Sequence, residues 1–379
     1  LKLIELVLKQ YHLEAKKIYP YQKGYRNIII PIDLKSPLQS TLGSSKQNWT
    51  KISLVLLKNE PKIIKRTRRA HQINRYLIKK NFPVRQPILP QANTTKTLLK
   101  ISDENKTRYA CLYTYLPGST INWEAYTRRH LKLAGQVMSH LHQTLTSSSL
   151  DPNKFPDAAS HLESLLTHMK KYFQKANVKS ALAKKLNLTV NLKQLSQYQQ
   201  LIATLPLIAE KQIIHFDFVR SNLLFSRLEP SAIKQKNLEK FAFNFEAKNS
   251  KAQPRRKHLS MTGILDFEKS AYGPKIIDIA RTLAFLLVDC KYKTETKIRK
   301  YFLHSGYRKR GASSLQHLNL LNPLVEFFWL FDFYKFLLHN PYQFLPKNEH
   351  FKRTSNRLIK CQSIQGSLAN SGEKLSLVT

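Results

Sequence analysis

Apolar residues recur at helical spacing from Leu3 to Tyr11 (Leu3, Ile4, Leu6, Val7, Leu8), which predicts an opening helix. The pattern then turns β-rich. Lys17 to Leu34 reads as a strand, a turn at Lys23-Gly24-Tyr25, and the run Asn27-Ile28-Ile29-Ile30-Pro31-Ile32. Ser36 to Asn48 is polar, contains Pro37 and Gly43, and reads as a loop. Lys51 to Lys58 is a further strand that ends on a lysine. Pro61 to Lys80 predicts a helix beginning at its proline, ended by Asn81-Phe82-Pro83-Val84. A hairpin is expected from residues 97–102 and 107–115, and Leu116-Pro117-Gly118 breaks its second strand. Residues 15–116 therefore suggest a small sheet with one helix.

From Trp123 onward the periodicity is mainly helical. Leu131, Ala134, Val137, Met138, Leu141 and Leu145 share one face, and Ala159 to Phe173 and Leu186 to Leu205 continue the pattern. Short strands are expected at Ile213-Ile214, Leu223-Leu224-Phe225 and Gly263-Ile264-Leu265, then helices from Ile276 to Val288 and after Thr294. The most apolar segment, Leu324 to Leu338, carries Glu326, Asp332 and Lys335, so it reads as a buried helix. It falls short of the ~18–20 apolar residues that span a membrane. The stretch between Phe225 and Gly263 is rich in lysine and arginine. If the flanking strands pair, it is an insertion, either disordered or in contact with phosphate or a partner. The tail after Lys360 is polar and expected to fray.

Composition narrows the class. At 379 residues the chain can bury a large core as one domain or two lobes, and 42% hydrophobic content excludes a disordered chain. The N-terminus has no basic segment followed by an apolar one and a small-residue cleavage site, so no signal peptide is expected. Because the chain begins with Leu, an alternative start or trimming stays open. Cys111, Cys290 and Cys361 lie too far apart in sequence for a disulfide framework or a metal-binding spacing, and a cytoplasmic setting is expected. The net charge of +39 suits nucleic acid, an anionic surface or nucleotides as partners. The charge is dispersed along most of the chain, which favours the plainer reading, a Lys-, Ile- and Asn-rich usage bias that selects no partner.

Chemistry concentrates in His215-Phe216-Asp217-Phe218-Val219-Arg220-Ser221-Asn222 and, downstream, Leu265-Asp266-Phe267-Glu268. Phosphoryl transfer of the kinase type needs a carboxylate to orient the acceptor hydroxyl, and an amide and a second carboxylate to hold magnesium. The two motifs supply all three.

The order of motifs resembles the aminoglycoside phosphotransferase and choline kinase superfamily, from about Lys9 to about Leu338. The resemblance implies an α+β, two-lobed, protein-kinase-like fold with a small β-rich N-lobe and a larger, mainly helical C-lobe. It places the N-lobe at residues 1–116, the C-lobe at 117–360 with a basic insertion at 227–260, and a polar tail at 361–379. It implies transfer of the γ-phosphoryl group of ATP (or GTP) to a hydroxyl of a small molecule, with Mg2+ as cofactor. Asp217 matches the catalytic aspartate, Asn222 the metal-binding amide and Asp266 the metal-binding carboxylate. Glu268 serves a second magnesium or is a surface carboxylate. His215 and Asp278 match residues that support the catalytic loop. Lys58 matches the strand lysine that contacts phosphates, against the alternative of one more solvated lysine. Gly24 and Asn27 match the nucleotide-covering loop, and residues 113–116 the link where adenine binds.

Three departures stand out. The helix after Lys58 usually carries a glutamate for that lysine, yet Pro61 to Lys80 contains no acid; the expected position falls near Ala70 or His71. Phe216 stands where glycine is frequent, and Val219 where histidine is common. The competing reading is a catalytically weak or inactive kinase-like protein that binds polyanions through its basic surface. Glu326 and Asp332 are either ligands for a cationic acceptor or helix carboxylates paired with nearby lysines.

Overall fold

The computed structural model describes residues 2–23, 27–39, 48–90, 96–103, 106–208, 210–243, 257–308 and 318–368. In chain order the first elements are α1 (Lys2–Gln10), β1 (Ala15–Ile18), β2 (Gln22–Lys23), β3 (Asn27–Gln39), β4 (Asn48–Leu57), α2 (Pro61–Lys79), β5 (Pro87–Ile88), β6 (Leu99–Asp103) and β7 (Lys106–Thr114). There follow α3 (Arg128–Thr146), α4 (Ala158–Gln174), α5 (Ala176–Leu186), β8 (Leu188–Val190), α6 (Leu192–Ile208) and β9 (Lys211–Ile214). Next come β10 (Leu223–Leu228), α7 (Pro230–Gln235), β11 (His258–Ile264), β12 (Ala271–Pro274) and α8 (Lys275–Asp289). The last are α9 (Glu295–Arg299), α10 (Leu321–His339), α11 (Glu349–Lys360) and β13 (Ile364–Gly366).

The chain forms two compact units, each discontinuous in sequence. One comprises Leu1–Ile121, Gln143–Lys154 and Ser221–Ser270; the other comprises Asn122–His142, Phe155–Arg220 and Ala271–Thr379.

The first unit holds a seven-stranded antiparallel sheet with the central order β1-β3-β4-β7-β5. Its middle strand β4 shows why the apolar run from Ile52 to Leu57 is nearly unbroken. Side chains alternate faces along a strand. Ile52, Leu54 and Leu56 meet Val7, Leu8 and Tyr11 of the α1 region, while Val55 and Leu57 meet Ile63 and Ile64 of α2. Both faces are covered, so both sets are apolar. The expected loop from Ser36 is shorter than its polarity suggested. β3 runs on to Gln39 and pairs Leu38 with Trp49, after an irregularity that begins at Asp33. Beyond Leu34 this arm is mostly exposed and Leu38 alone packs against the core cluster, so there is little apolar alternation to read.

The ribbon β10–β11 belongs to the same unit, with Leu223 opposite Ile264 and Leu228 opposite His258. The flanking strands thus pair, and the basic stretch is an insertion between them. Within it α7 buries Ile233, and Leu238 and Phe241 are buried after it. Gly118 sits at φ +106, with the Phe225 carbonyl 2.8 Å from where a Cβ would stand. Only glycine meets both demands.

The second unit is helical around α8 and α10. Nearly all of α8 from Ile276 to Asp289 is buried, and α10 buries Leu324, Val325, Phe327, Phe328, Trp329, Leu330 and Phe333. A helix apolar around its circumference needs neighbours on all sides; α10 packs on α8, α11, α6 and α4. The single helix expected over 186–205 is instead broken near its start. Asn187 takes the left-handed conformation (φ 53), ends α5, and leads through β8 into α6. The tail was expected to fray after Lys360, but Ile364 to Gly366 pairs with β8 and Ile364 is buried. No helix among the described residues is long and apolar enough to cross a membrane.

Candidate active site

The sequence-predicted residues fall into two groups, one in each unit. In the second unit, β9 pairs with β12, Ile214 opposite Ala271 and Lys211 opposite Pro274. β12 leads straight into α8, so the pairing sets the first turn of α8 beside the loop that follows β9. Asp278 lies in that first turn, wholly buried. Its Oδ2 accepts the His215 N–H at 2.9 Å and its Oδ1 the Phe216 N–H at 2.9 Å. His142 Nε2 lies 3.1 Å from the same Oδ2, and His142 Nδ1 lies 2.7 Å from Tyr307 Oη. One carboxylate therefore fixes two consecutive amides of the loop.

Phe216 is forced to φ +62, a region that costs a residue with a side chain about 1–2 kcal/mol. Glycine would adopt it freely, which gives the departure at this position its physical sense. The next residue, Asp217, donates its N–H to His215 Nδ1 at 3.2 Å. His215 is fully buried, and that bond makes its Nδ1 the acceptor nitrogen. Thr282 Oγ1 donates to the Phe218 carbonyl at 2.8 Å.

Asp217 Oδ1 accepts a hydrogen bond from Arg281 Nη2 at 2.8 Å, and both side chains are 6% exposed. Sequence reading missed Arg281. It stands three residues after Asp278, so helical phase places both on one face of α8; that was the available signal. His350 was also missed, and nothing local marks it. It lies 2.8 Å from Asp332 and 3.3 Å from Asp289, while Asp289 also meets Arg220 of the loop at 3.3 Å. Burial opposes a charge on His350, but the hydrogen bonds it donates to Asp289 and Asp332 outweigh that and raise its pKa to about 9.

In the first unit, Asn222 heads β10 and Asp266 lies just beyond β11. The Leu265 N–H donates to the Asn222 carbonyl at 2.8 Å, which closes that end of the ribbon and brings the two motifs together. Asp266 adopts φ +61 and starts the short turn Phe267–Lys269. Glu268, half-buried on that turn, is pushed up to about 8, first by burial and then by the Asp266 charge beside it. Glu268 thus keeps its proton and is hydrogen-bonded to Asp266, with Arg85 pulling its pKa the other way.

The α2 position expected to hold a glutamate holds a neutral base. His71 is buried, with Nδ1 2.5 Å from Thr97 Oγ1 and Nε2 2.6 Å from Tyr113 Oη. Burial, with Arg85 and Arg75 nearby, lowers its pKa to about 3. Lys58 follows β4 directly and is exposed; among the described residues it makes no ion pair. Asn27 pairs with Leu57 at the same end of the sheet, and Gly24 lies outside the described residues. Asp332 is paired with His350, as above, and half-buried Glu326 faces Cys361 and Tyr198. On α2, Lys65, Arg68 and Arg69 line a hollow of about 630 Å³ together with Lys154.

Comparison with known proteins fits this architecture. Residues 47–233 match the model of the phosphotransferase enzyme family. No curated protein matches the chain in sequence. Among solved structures, an amicoumacin kinase bound to AMP-PNP and Ca2+ is similar, with TM-score 0.62, 12% identity, and 94% of this chain and 93% of that one covered. A microcompartment-associated aminopropanol kinase gives TM-score 0.56 and 11% identity over 96% of this chain and 98% of that one. An aminoglycoside phosphotransferase bound to ADP and hygromycin B gives TM-score 0.52 and 11% identity over 98% of this chain and 100% of that one. The fold is kinase-like, mixing an antiparallel sheet with many helices. The likeness to the aminoglycoside phosphotransferase and choline kinase superfamily holds both for the family model and for the fold.

Proposed function

We propose that this chain is an ATP-dependent phosphotransferase that moves the γ-phosphoryl group onto a hydroxyl of a small molecule. The observation that carries the reading is the Asp217 loop. Two of its amides are fixed by Asp278, and Asp217 is held at its amide by His215 and at its carboxylate by Arg281. Such a loop presents a carboxylate with little reorganisation left to do, which suits a base that orients a hydroxyl and takes its proton. Kinases of similar fold that bind AMP-PNP or ADP support nucleotide use.

Magnesium fits the other motif. Asn222, Asp266 and Glu268 are hard oxygen donors, the kind magnesium takes. These three residues would hold the ion, which would neutralise charge on the phosphates. Lys58, Asn27 and Gly24 serve the nucleotide, residues 1–116 forming the N-lobe and 117–360 the C-lobe.

Thermal unfolding with ATP, with magnesium and with both tests the reading. A ligand at ~100 times its dissociation constant adds about 2.7 kcal/mol. Stabilisation is expected only with both, and Asp266→Ala removes it. Asp217→Asn is expected to lower kcat by at least ~100-fold and to leave the nucleotide-induced stabilisation in place. Stabilisation of equal size by any polyanion sinks the assignment.

The basic hollow on α2 favours one second reading, a polyanion-binding surface. It predicts retention on immobilised polyphosphate that falls steeply with salt and survives Asp217→Asn. Lys65→Gln with Arg68→Gln should abolish it; unchanged retention in that double variant removes the hollow from consideration.

A further inference from the structure

Arg281 gives the proposed acceptor end a resident cation. Its guanidinium carbon lies 5.6 Å from the ring centroid of Phe216, 5.5 Å from Phe285, 5.5 Å from Phe328 and 6.0 Å from Phe331. Aromatic faces at this range attract a cation. An aromatic cage beside a carboxylate is the arrangement that would receive a substrate ammonium group. Here the chain's own arginine fills it, 2.8 Å from Asp217.

The neighbouring carboxylates are taken in the same way. Asp332 and Asp289 both meet His350, and Asp289 also meets Arg220. His350 carries its charge at neutral pH because those two carboxylates raise its pKa to about 9 against the opposing effect of burial. Lys335 adds a fourth cation, 5.7 Å from the Phe331 centroid. Four cations thus stand against three carboxylates. Among the described residues two buried atoms of this group lack a hydrogen-bond partner: the donor Arg281 Nε, and the acceptor Asp289 Oδ1, which has His350 only as an ion-pair partner. A buried guanidinium N–H without an acceptor calls for an oxygen from outside.

We propose that the phosphate acceptor is an uncharged or acidic polyol, and that Arg281 is the specificity-determining residue that excludes amino alcohols. An ammonium group close to the reacting hydroxyl would face the guanidinium at short range in a poorly hydrated setting, where repulsion is little screened. A hydroxyl, carbonyl or carboxylate oxygen would instead satisfy the Nε–H. The inference rests on the reading of Asp217 as the carboxylate that meets the acceptor hydroxyl.

The test offers radiolabelled ATP, magnesium and three pools of small alcohols: sugars and neutral polyols, sugar acids and hydroxy acids, and amino alcohols including aminoglycosides. Mg·ATP binding is measured on the same protein by thermal shift. Label is expected in the neutral or acidic pool, at least tenfold above the amine pool. Arg281→Met is expected to cut that selectivity below threefold, whereas Arg281→Lys keeps it. Label in the amine pool at an equal or higher level overturns the proposal while the kinase reading stands. So does bound Mg·ATP with no label in any pool. Label with unchanged selectivity in folded Arg281→Met removes Arg281 from the specificity role. Failure of Mg·ATP to bind, with no label, counts against the kinase reading itself.

Discussion

The two groups of acidic residues solve the problem of buried charge in opposite ways. Around the Asp217 loop, each carboxylate comes with its own partners. Asp278 has two backbone amides and His142, Asp217 has Arg281, and Asp289 has Arg220 and His350. On the turn after β11, Asp266 and Glu268 stand together, and Glu268 answers by holding its proton to about 8. A carboxylate with built-in partners is fixed before any ligand arrives. A pair that holds a proton between its members can release it when a cation arrives. The first arrangement suits a group that must aim, the second a group that must bind.

Breaking the self-sufficient group should have the largest effect. Asp278→Ala strips partners from two amides and from His142, all in the interior. Removing one member of such a buried network costs about 3–5 kcal/mol. Urea unfolding should show that loss, and turnover should fall with it because Phe216 and Asp217 lose their anchor. Asp278→Asn keeps the shape but turns an amide N–H toward one backbone N–H, so a smaller loss of about 1–3 kcal/mol is expected. A change in Asp278→Ala within 1 kcal/mol would mean that the loop is held by its other contacts, and the contrast between the two groups would collapse.

What could be read from the sequence follows the same division. Asp217, Asn222 and Asp266 were legible because each motif is local: a strand end, a few loop residues, the start of the next strand. The missing acid of α2 was equally visible, but what replaces it was not. His71 is completed by Thr97 and Tyr113, and those partners come from elsewhere in the sheet. The Asp278 network depends on His142 and Tyr307, which lie 165 residues apart in sequence. β13 escaped notice for a related reason. Its burial rests on one apolar residue, Ile364, in a polar stretch, and its partner strand is β8. The apolar run of β4 and the all-round apolar character of α10 could be read because each extends over consecutive residues.

A pH titration sharpens the contrast with a smaller effect. Glu268 has a folded pKa of about 8 against an ordinary value of 4.5. Between those values the folded state keeps a proton that the unfolded state has lost, so stability falls as pH rises through this window. A single group contributes at most about 1.4 kcal/mol per pH unit. Glu268→Gln should flatten the fall, and magnesium should reverse it in the native protein by displacing the proton. His71 works in the other direction. Its folded pKa of about 3 lies below the usual 6.5, so the stability it carries is present above 6.5 and is lost as pH falls toward 3. Urea midpoints at several pH values, with and without magnesium, separate the two. A Glu268→Gln protein whose midpoint still falls from pH 5 to 8 would assign the slope to another group.

The smallest effect tests whether the Asp217 loop stores backbone strain. Phe216 is buried, and its ring packs near Arg281 and Phe328, so truncation to either Ala or Gly must lose contact area. The order of the two is informative. At an unstrained position Ala is the less harmful replacement by about 0.4–1 kcal/mol, because Gly frees the unfolded chain. At φ +62 the preference inverts, since Ala keeps the Cβ that disfavours this region and Gly does not. Phe216→Gly should therefore be more stable than Phe216→Ala by about 1 kcal/mol. Phe218, two residues on and fully buried, is not among the positive-φ residues and supplies the control. There Phe218→Ala should be the better tolerated variant. The same order at both positions would show that Phe216 relaxes its backbone on truncation, and that Asp278 holds the loop in place without straining it.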